Sequence, residues 1–280
     1  MCGHLMTRKA GKSGAKSPAV SAPRHINVVK SGAVVRLIID RPETRNALSL
    51  QTVNELQEAV ARAESDPDVR VLVLTGAGSR AFASGADLNE LTGAMDTPEN
   101  AARYDTQFGV LYDMLQSARL PVIARIQAHA IGGGCMLALA CDFCIIGERA
   151  TIGVPASRIG LMLSPREHQI LVDRVGPSRA KFLLFTGRRL SAREAADWGL
   201  VDLVAAADRL DETVDELARE ISSRAPLAVK AAKRLVNAAR GGVKVDELVE
   251  ACYREVYTSD DLREGLAAVK ERRAPVFKGC

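Results

Sequence analysis

Two glycine-containing segments carry the strongest chemical signal in this 280-residue chain. The first is Ile131-Gly132-Gly133-Gly134-Cys135, followed by an apolar run. Glycines that open a helix leave bare N–H groups at its N-terminus, where an anion or a developing oxyanion is stabilised. A tight, closely packed turn would use the same residues. The second is Phe82-Ala83-Ser84-Gly85-Ala86-Asp87, whose small residues let the backbone approach a ligand. Asp87 is also placed to cap the helix that follows. Together the two segments allow a pair of backbone donors.

Other motifs promise less. Gly76-Ala77-Gly78-Ser79-Arg80-Ala81 fits the GxGxxA pattern after a strand. A dinucleotide fingerprint needs a helix to start at once, so that its N-terminus holds the pyrophosphate. Here Gly85 interrupts any such helix, and the preceding strand is the third rather than the first, so no nicotinamide or flavin cofactor is expected. The six cysteines (2, 135, 141, 144, 252 and 280) lack a paired framework. Cys141-x-x-Cys144 has no second pair and no close histidine pair. These read as buried thiols in a reducing cytosol, and no metal site is expected.

The elements that must hold these segments can be read from hydrophobic periodicity. Residues 26–30 and 33–40 form a hairpin around Ser31-Gly32. Ser49 caps a helix to about residue 64, with Val53, Leu56, Val60 and Ala63 on one face. A strand at 69–74 leads into a loop at 76–86. Pro98 starts a helix to about residue 118, with Tyr104, Phe108, Leu111 and Leu115 on one stripe. Strand 121–126, a short helix 133–140 and strand 143–146 follow. Beyond Ser164 the chain reads as helical apart from a strand at 200–204. Alternating strands and helices followed by helices alone predict an α/β core with a helical appendage starting near Asp208. The three expected regions are a disordered basic tail at 1–25, a core at 26–207 and a helical region at 208–280.

Charge and hydropathy exclude several classes. The net charge is +4. Residues 1–25 hold five basic side chains and no acid, which leaves the rest nearly neutral. A nucleic-acid role has little electrostatic support. The most apolar run, 130–146, contains three glycines and Asp142 and is too short to span a bilayer. The first 25 residues have no apolar h-region, so no signal peptide is expected, and the location expected is cytoplasmic.

Several motifs in order resemble the enoyl-CoA hydratase/isomerase (crotonase) superfamily, from about residue 26 to 278. They are Arg41-Pro42 with Arg45-Asn46-Ala47-Leu48, the 71–76 strand, Phe82 to Leu88, Ile131 to Cys135 with Cys141-Asp142, Phe185-Thr186-Gly187, and Ala195 to Val201. The resemblance implies a spiral of ββα turns with a helical C-terminal trimerisation region. It implies an acyl-CoA substrate, no separate cofactor because coenzyme A is part of that substrate, and a homotrimer or dimer of trimers. It places the thioester oxygen between the N–H groups of Ala86 and Gly133. It brings the Arg45–Leu48 and Ala83–Ala86 segments near the CoA nucleotide, and makes Arg45, Ala47, Leu48, Ala83, Ser84, Gly85, Asp87, Gly132, Met136 and Ala156 substrate-binding. It lets Arg272 reach the CoA of a neighbouring subunit, although a solvated helix-face charge would explain Arg272 as well.

The departures matter more than the matches. The resemblance implies one glutamate where this chain has Met136, and a second after Pro155, where it has Ala156. Hydration uses two such carboxylates, one to activate water and one to deliver a proton. Glu167 and His168 follow closely in sequence. Ser164-Pro165-Arg166-Glu167 is also a capping box with proline at the first helical position, which gives Glu167 a structural role. Arg158 could bind an acidic acyl group or form a salt bridge. Tyr104 and Asp105 could line an acyl pocket or serve packing. The leading expectation is a CoA-thioester enzyme with a backbone oxyanion hole that hydrates simple enoyl-CoAs poorly. The alternative is a catalytically silent acyl-CoA carrier or sensor. The stripe Leu210, Val214, Leu217 and Ile221 is expected to need a partner surface.

Overall fold

The computed structural model describes residues 24–94, 96–240 and 246–280. The basic tail expected at 1–25 lies almost wholly outside them. Strands β1 (Ile26–Ser31) and β2 (Val34–Ile39) form the expected hairpin, with Gly32 left-handed at its tip. Helix α1 (Leu50–Ser65) starts from Ser49, whose hydroxyl accepts from the Thr52 N–H. Its apolar face is buried through Val53, Leu56, Ala59 and Val60. Strand β3 (Val71–Gly76) is buried at every residue, as a central strand of a parallel sheet covered on both faces must be. Beyond it come β4 (Ala81–Ala83), α2 (Leu88–Ala94) and α3 (Pro98–Ser117), which Thr97 caps.

The middle of the chain winds between two sheets. Strand β5 (Val122–Ile126), β6 (His129–Ile131), α4 (Gly133–Leu139), β7 (Phe143–Gly147) and β8 (Thr151–Gly153) precede α5 (Pro165–Thr186). Then come β9 (Arg189–Ser191), α6 (Ala192–Asp197) and β10 (Leu203–Ala205). Among the described residues the larger sheet has the order β1-β2-β3-β5-β7-β10, parallel apart from its first pair. The smaller sheet runs β4-β6-β8-β9, with β4, β6 and β8 parallel. The chain therefore alternates between sheets: β3 to β4, β5 to β6, β7 to β8. The residues expected as one loop at 76–86 contain β4, and β6, β8 and β9 were not foreseen.

Helices α7 (Leu210–Ser222), α8 (Pro226–Arg240), α9 (Asp246–Tyr257) and α10 (Asp260–Glu271) complete the chain. The sequence expectation for α7 needs correction. Its stripe covers the outer face of the chain's own sheet, where Leu210, Val214 and Ala218 pack on Val71, Val73, Ile123 and Ile145. Those β residues alternate outward from the main core and would otherwise meet water, so α7 closes a third layer. Arg36 and Arg125 pin the helix through Asp211, the latter at 2.7 Å. The exposed apolar residues of the helical end lie further on, at Tyr253, Tyr257, Leu266 and Val269. No helix among the described residues is long and apolar enough to cross a membrane.

Candidate active site

The three parallel strands of the small sheet each stop at one cavity. After β4 the chain delivers Ser84, Gly85 and Ala86; after β6, Gly132 and Gly133; after β8, Val154, Pro155 and Ala156. Ligands of α/β proteins commonly bind at the carboxyl ends of parallel strands, where the backbone turns away and leaves a crevice. The cavity has a volume of about 280 Å³. Leu91 from α2, and Tyr104, Asp105 and Phe108 from α3, form another part of its wall. Leu161, Leu163 and Glu167 line it from the start of α5 and the segment before it. Leu88, Ile159 and Met162 line it and are largely exposed, so its rim is apolar.

One side of the wall is made of backbone, and glycine is required there. Gly132 has φ 55 and ψ −123 at the N-cap of α4, and Gly85 has φ 108. A Cβ on Gly134 would stand 2.2 Å from the Ala83 carbonyl oxygen. A Cβ on Gly133 would stand 3.5 Å from the Ala86 nitrogen, so the two amides are close neighbours across the cavity floor. Gly133 is the first residue of α4, and its N–H has no acceptor within the helix. The neighbouring bonds run from Leu48 N–H to Gly85 O at 2.8 Å and from Asp87 N–H to Leu48 O at 3.0 Å. They hold Ala86 in a parallel bridge to Leu48.

A polar brace fixes that bridge. The Arg41 guanidinium donates to Ala47 O at 2.6 Å and to Asp87 at 3.1 and 3.2 Å. Arg45 and Asn46 both adopt φ 57, a left-handed conformation that side chains disfavour. Asn46 is fully buried. Its Oδ1 accepts from Arg41 N–H at 3.1 Å, and its Nδ2 donates to Ala77 O at 3.0 Å and Ala81 O at 2.8 Å. Three hydrogen bonds thus stabilise a turn that the backbone alone would avoid. The GxGxxA segment runs into β4 and not into the helix that a dinucleotide fingerprint needs.

The other side of the wall is made of side chains. Tyr104, Phe108 and Tyr112 stack along α3, with ring centroids 5.1 and 6.3 Å apart. The Tyr104 hydroxyl is buried without a partner among the described residues. Desolvation raises its pKa well above the ordinary phenol value, so it stays protonated. Half-buried Asp105 is likewise raised by desolvation. Glu167 forms the expected capping box, its Oε2 accepting from Ser164 N–H at 2.9 Å and from the Ser164 hydroxyl at 3.0 Å. Desolvation raises its pKa too, against the lowering effect of those two bonds. Arg158 and Arg189 line the cavity as exposed cations.

Of the residues the sequence singled out, Ser84, Gly85, Ala86, Tyr104, Asp105, Gly132, Gly133, Ala156, Arg158 and Glu167 line this cavity. Leu48 and Ala83 are buried and do not. Met136 was expected among the substrate-binding residues. It is instead a core residue with no exposed surface, because it lies one turn inside α4, a helix buried from Gly134 onward. Ala47 and Asp87 belong to the brace. Arg45 borders a separate cleft with Asn46 and residues 77–81. Arg272 is exposed at the C-cap of α10 with φ 54, away from the cavity. Arg189 and Met162 were missed, since nothing in their sequence surroundings distinguishes them.

An apolar cavity at the carboxyl ends of three parallel strands, with backbone on one wall, marks an α/β protein with a ligand-sized pocket. The chain belongs to the enoyl-CoA hydratase/isomerase family, whose model matches residues 29–280. It is 34% identical over 261 residues to a carnitinyl-CoA dehydratase of Proteus mirabilis, covering 91% of this chain and 98% of the relative. The crystal structure of an enoyl-CoA hydratase from Bacillus anthracis matches at TM-score 0.85 and 35% identity, covering 91% of this chain and all of that one. An enoyl-CoA hydratase/carnithine racemase from Magnetospirillum magneticum matches at TM-score 0.89 and 33% identity, covering 92% and 97% of the two chains. The fold is the crotonase fold.

Proposed function

We propose that the protein binds an acyl-CoA thioester with its carbonyl oxygen between the N–H groups of Ala86 and Gly133, and stabilises the enolate that forms there. The observation that carries this reading is the close approach of those two amides, 3.5 Å from the Ala86 nitrogen to a Cβ position on Gly133, on the floor of an apolar cavity. Family membership and relatives named for acyl-CoA substrates support it. The cavity suits an acyl chain.

Efficient hydration of simple enoyl-CoAs is not part of this function. Met136 and Ala156 cannot transfer protons, and each general acid or base contributes roughly 10²–10⁴-fold. Isomerisation, decarboxylation, thioester hydrolysis and retro-aldol cleavage remain open, since each uses a stabilised enolate or oxyanion. The assembly proposed is a homotrimer or dimer of trimers, supported by the apolar surface that Tyr253, Tyr257, Leu266 and Val269 expose. A cytoplasmic location is supported by free, buried Cys135, Cys141, Cys144 and Cys252.

The test is calorimetric titration with butyryl-CoA and with free CoA, followed by turnover assays on an acyl-CoA panel. The thioester is expected to bind more tightly than CoA alone, and crotonyl-CoA hydration is expected far below the enzyme median of about 10 s⁻¹. Equal affinity for the two ligands would contradict the carbonyl site. Hydration at the median rate would contradict the account of the missing carboxylates.

A further inference from the structure

The side-chain wall of the cavity holds protic groups that the oxyanion site does not use. We propose that Asp105 is the catalytic base and acid of this site, exchanging a proton with the α-carbon of the bound acyl group. This deepens the proposed function and rests on it.

Position on α3 is the first argument. Asp105 lies three residues before Phe108, on the same face of the helix. The Phe108 ring carbon Cε1 comes within 3.8 Å of a Cβ position on Gly133. The Asp105 backbone therefore stands about one helical turn, ~5 Å, along α3 from that of Phe108, whose ring faces Gly133. It lines the same cavity.

Availability is the second. Among the described residues the Asp105 carboxylate has no hydrogen bond and no ion pair. The competing carboxylate, Glu167, has one oxygen committed to both the N–H and the hydroxyl of Ser164, where it holds the first turn of α5. The third argument is independent of either acid. Tyr104 lines the cavity and is 5% exposed, and its buried hydroxyl has no partner among the described residues. A buried hydroxyl left unpaired costs about 1–3 kcal/mol. The wall beside Asp105 is thus built to meet a polar atom that arrives with a ligand. Desolvation of Asp105 adds to this, since it makes the ionised carboxylate a stronger base.

The step balances without a co-reactant. The Asp105 carboxylate takes the α-proton, and an O–H bond forms on it as the C–H bond breaks. The electron pair moves onto the thioester oxygen, which the Ala86 and Gly133 amides hold. Return of the proton to carbon regenerates the thioester.

The experiment is deuterium wash-in. Full-length protein is incubated with butyryl-CoA in D₂O, and α-deuteration is followed by mass spectrometry beside titrated affinity for the same ligand. Wild type is expected to exchange. Asp105→Asn is expected to lose about 10²–10⁴-fold in exchange rate while retaining affinity and its melting temperature. Tyr104→Phe and Glu167→Gln are measured alongside. Unchanged exchange in a folded Asp105→Asn variant overturns the proposal, as does a loss confined to Glu167→Gln. A wild type that binds butyryl-CoA and does not exchange overturns it too, and leaves the thioester-binding reading standing. A wild type that does not bind butyryl-CoA fails that reading first, and this proposal with it.

Discussion

The two walls of the cavity are built on different principles. The floor at Gly85, Ala86, Gly132 and Gly133 is backbone, placed by the ends of β4 and β6 and braced by Arg41, Asp87 and Asn46. The facing wall, from α3 and α5, is side chain: Tyr104, Asp105, Phe108 and Glu167. The floor tolerates little change in residue type, because its donors are amides and its packing demands missing Cβ atoms. The facing wall is side chain, so its shape and its chemistry are both set by residue type. A chain with Met136 and Ala156 can in this way keep a carbonyl-binding floor while another carboxylate serves the reaction.

The largest effect expected from breaking this contrast is at the floor. Gly133→Pro removes one amide donor at the first helical position, where proline is tolerated. Turnover or α-exchange should fall by on the order of 10²–10³. An unchanged rate in the folded variant would mean that the amide is not used.

Next is a pair of neighbouring glycines with opposite responses. Gly134→Ala would set a methyl 2.2 Å from the Ala83 carbonyl oxygen, and the backbone must shift. Overpacking of this kind costs roughly 1–3 kcal/mol and should lower the melting temperature. Gly133→Ala meets only ordinary contacts, the nearest at 3.5 Å, so its fold should hold. Its methyl would occupy the gap beside the Ala86 amide, and acyl-CoA affinity should fall with little change in melting temperature. Equal thermal loss in both variants would erase the distinction.

Asp87→Ala tests the brace. It removes two bonds from Arg41 and the 3.1 Å cap on the Asn89 N–H. A loss of about 1–3 kcal/mol is expected by denaturant unfolding. The smallest effect is at Glu167. Burial raises its folded pKa above the ordinary carboxylate value, so between those two values the folded chain keeps a proton that the unfolded chain has lost. Its contribution therefore makes stability fall as pH rises through that window. Glu167→Gln can still accept from Ser164, and should flatten this slope in melts taken across the acid range.

Much of the architecture was legible because long periodic segments announce themselves. The hairpin, α1, α3 and the three buried strands of the larger sheet follow from apolar spacing and from Ser49 and Pro98 at helix starts. The smaller sheet was not, because β4, β6, β8 and β9 are three residues each, too short for a period to show. The α7 stripe was visible, but its partner was not: an amphipathic face does not say whether it covers its own sheet or another subunit. The site divides in the same way. Gly85 and Gly132 to Gly134 were found because glycine is informative about backbone. Arg189 and Met162 were missed because an arginine or methionine in a loop has many explanations. Met136 was misplaced, since spacing from the glycine turn does not reveal that α4 is buried.

The most direct test of the account is a crystal structure with bound butyryl-CoA, which is saturated and cannot be hydrated. The account predicts the thioester oxygen about 2.7–3.1 Å from both the Ala86 and Gly133 nitrogens, with the Asp105 carboxylate the nearest acid to the α-carbon. A thioester oxygen bonded to neither amide, with the acyl chain seated in this cavity, would contradict it.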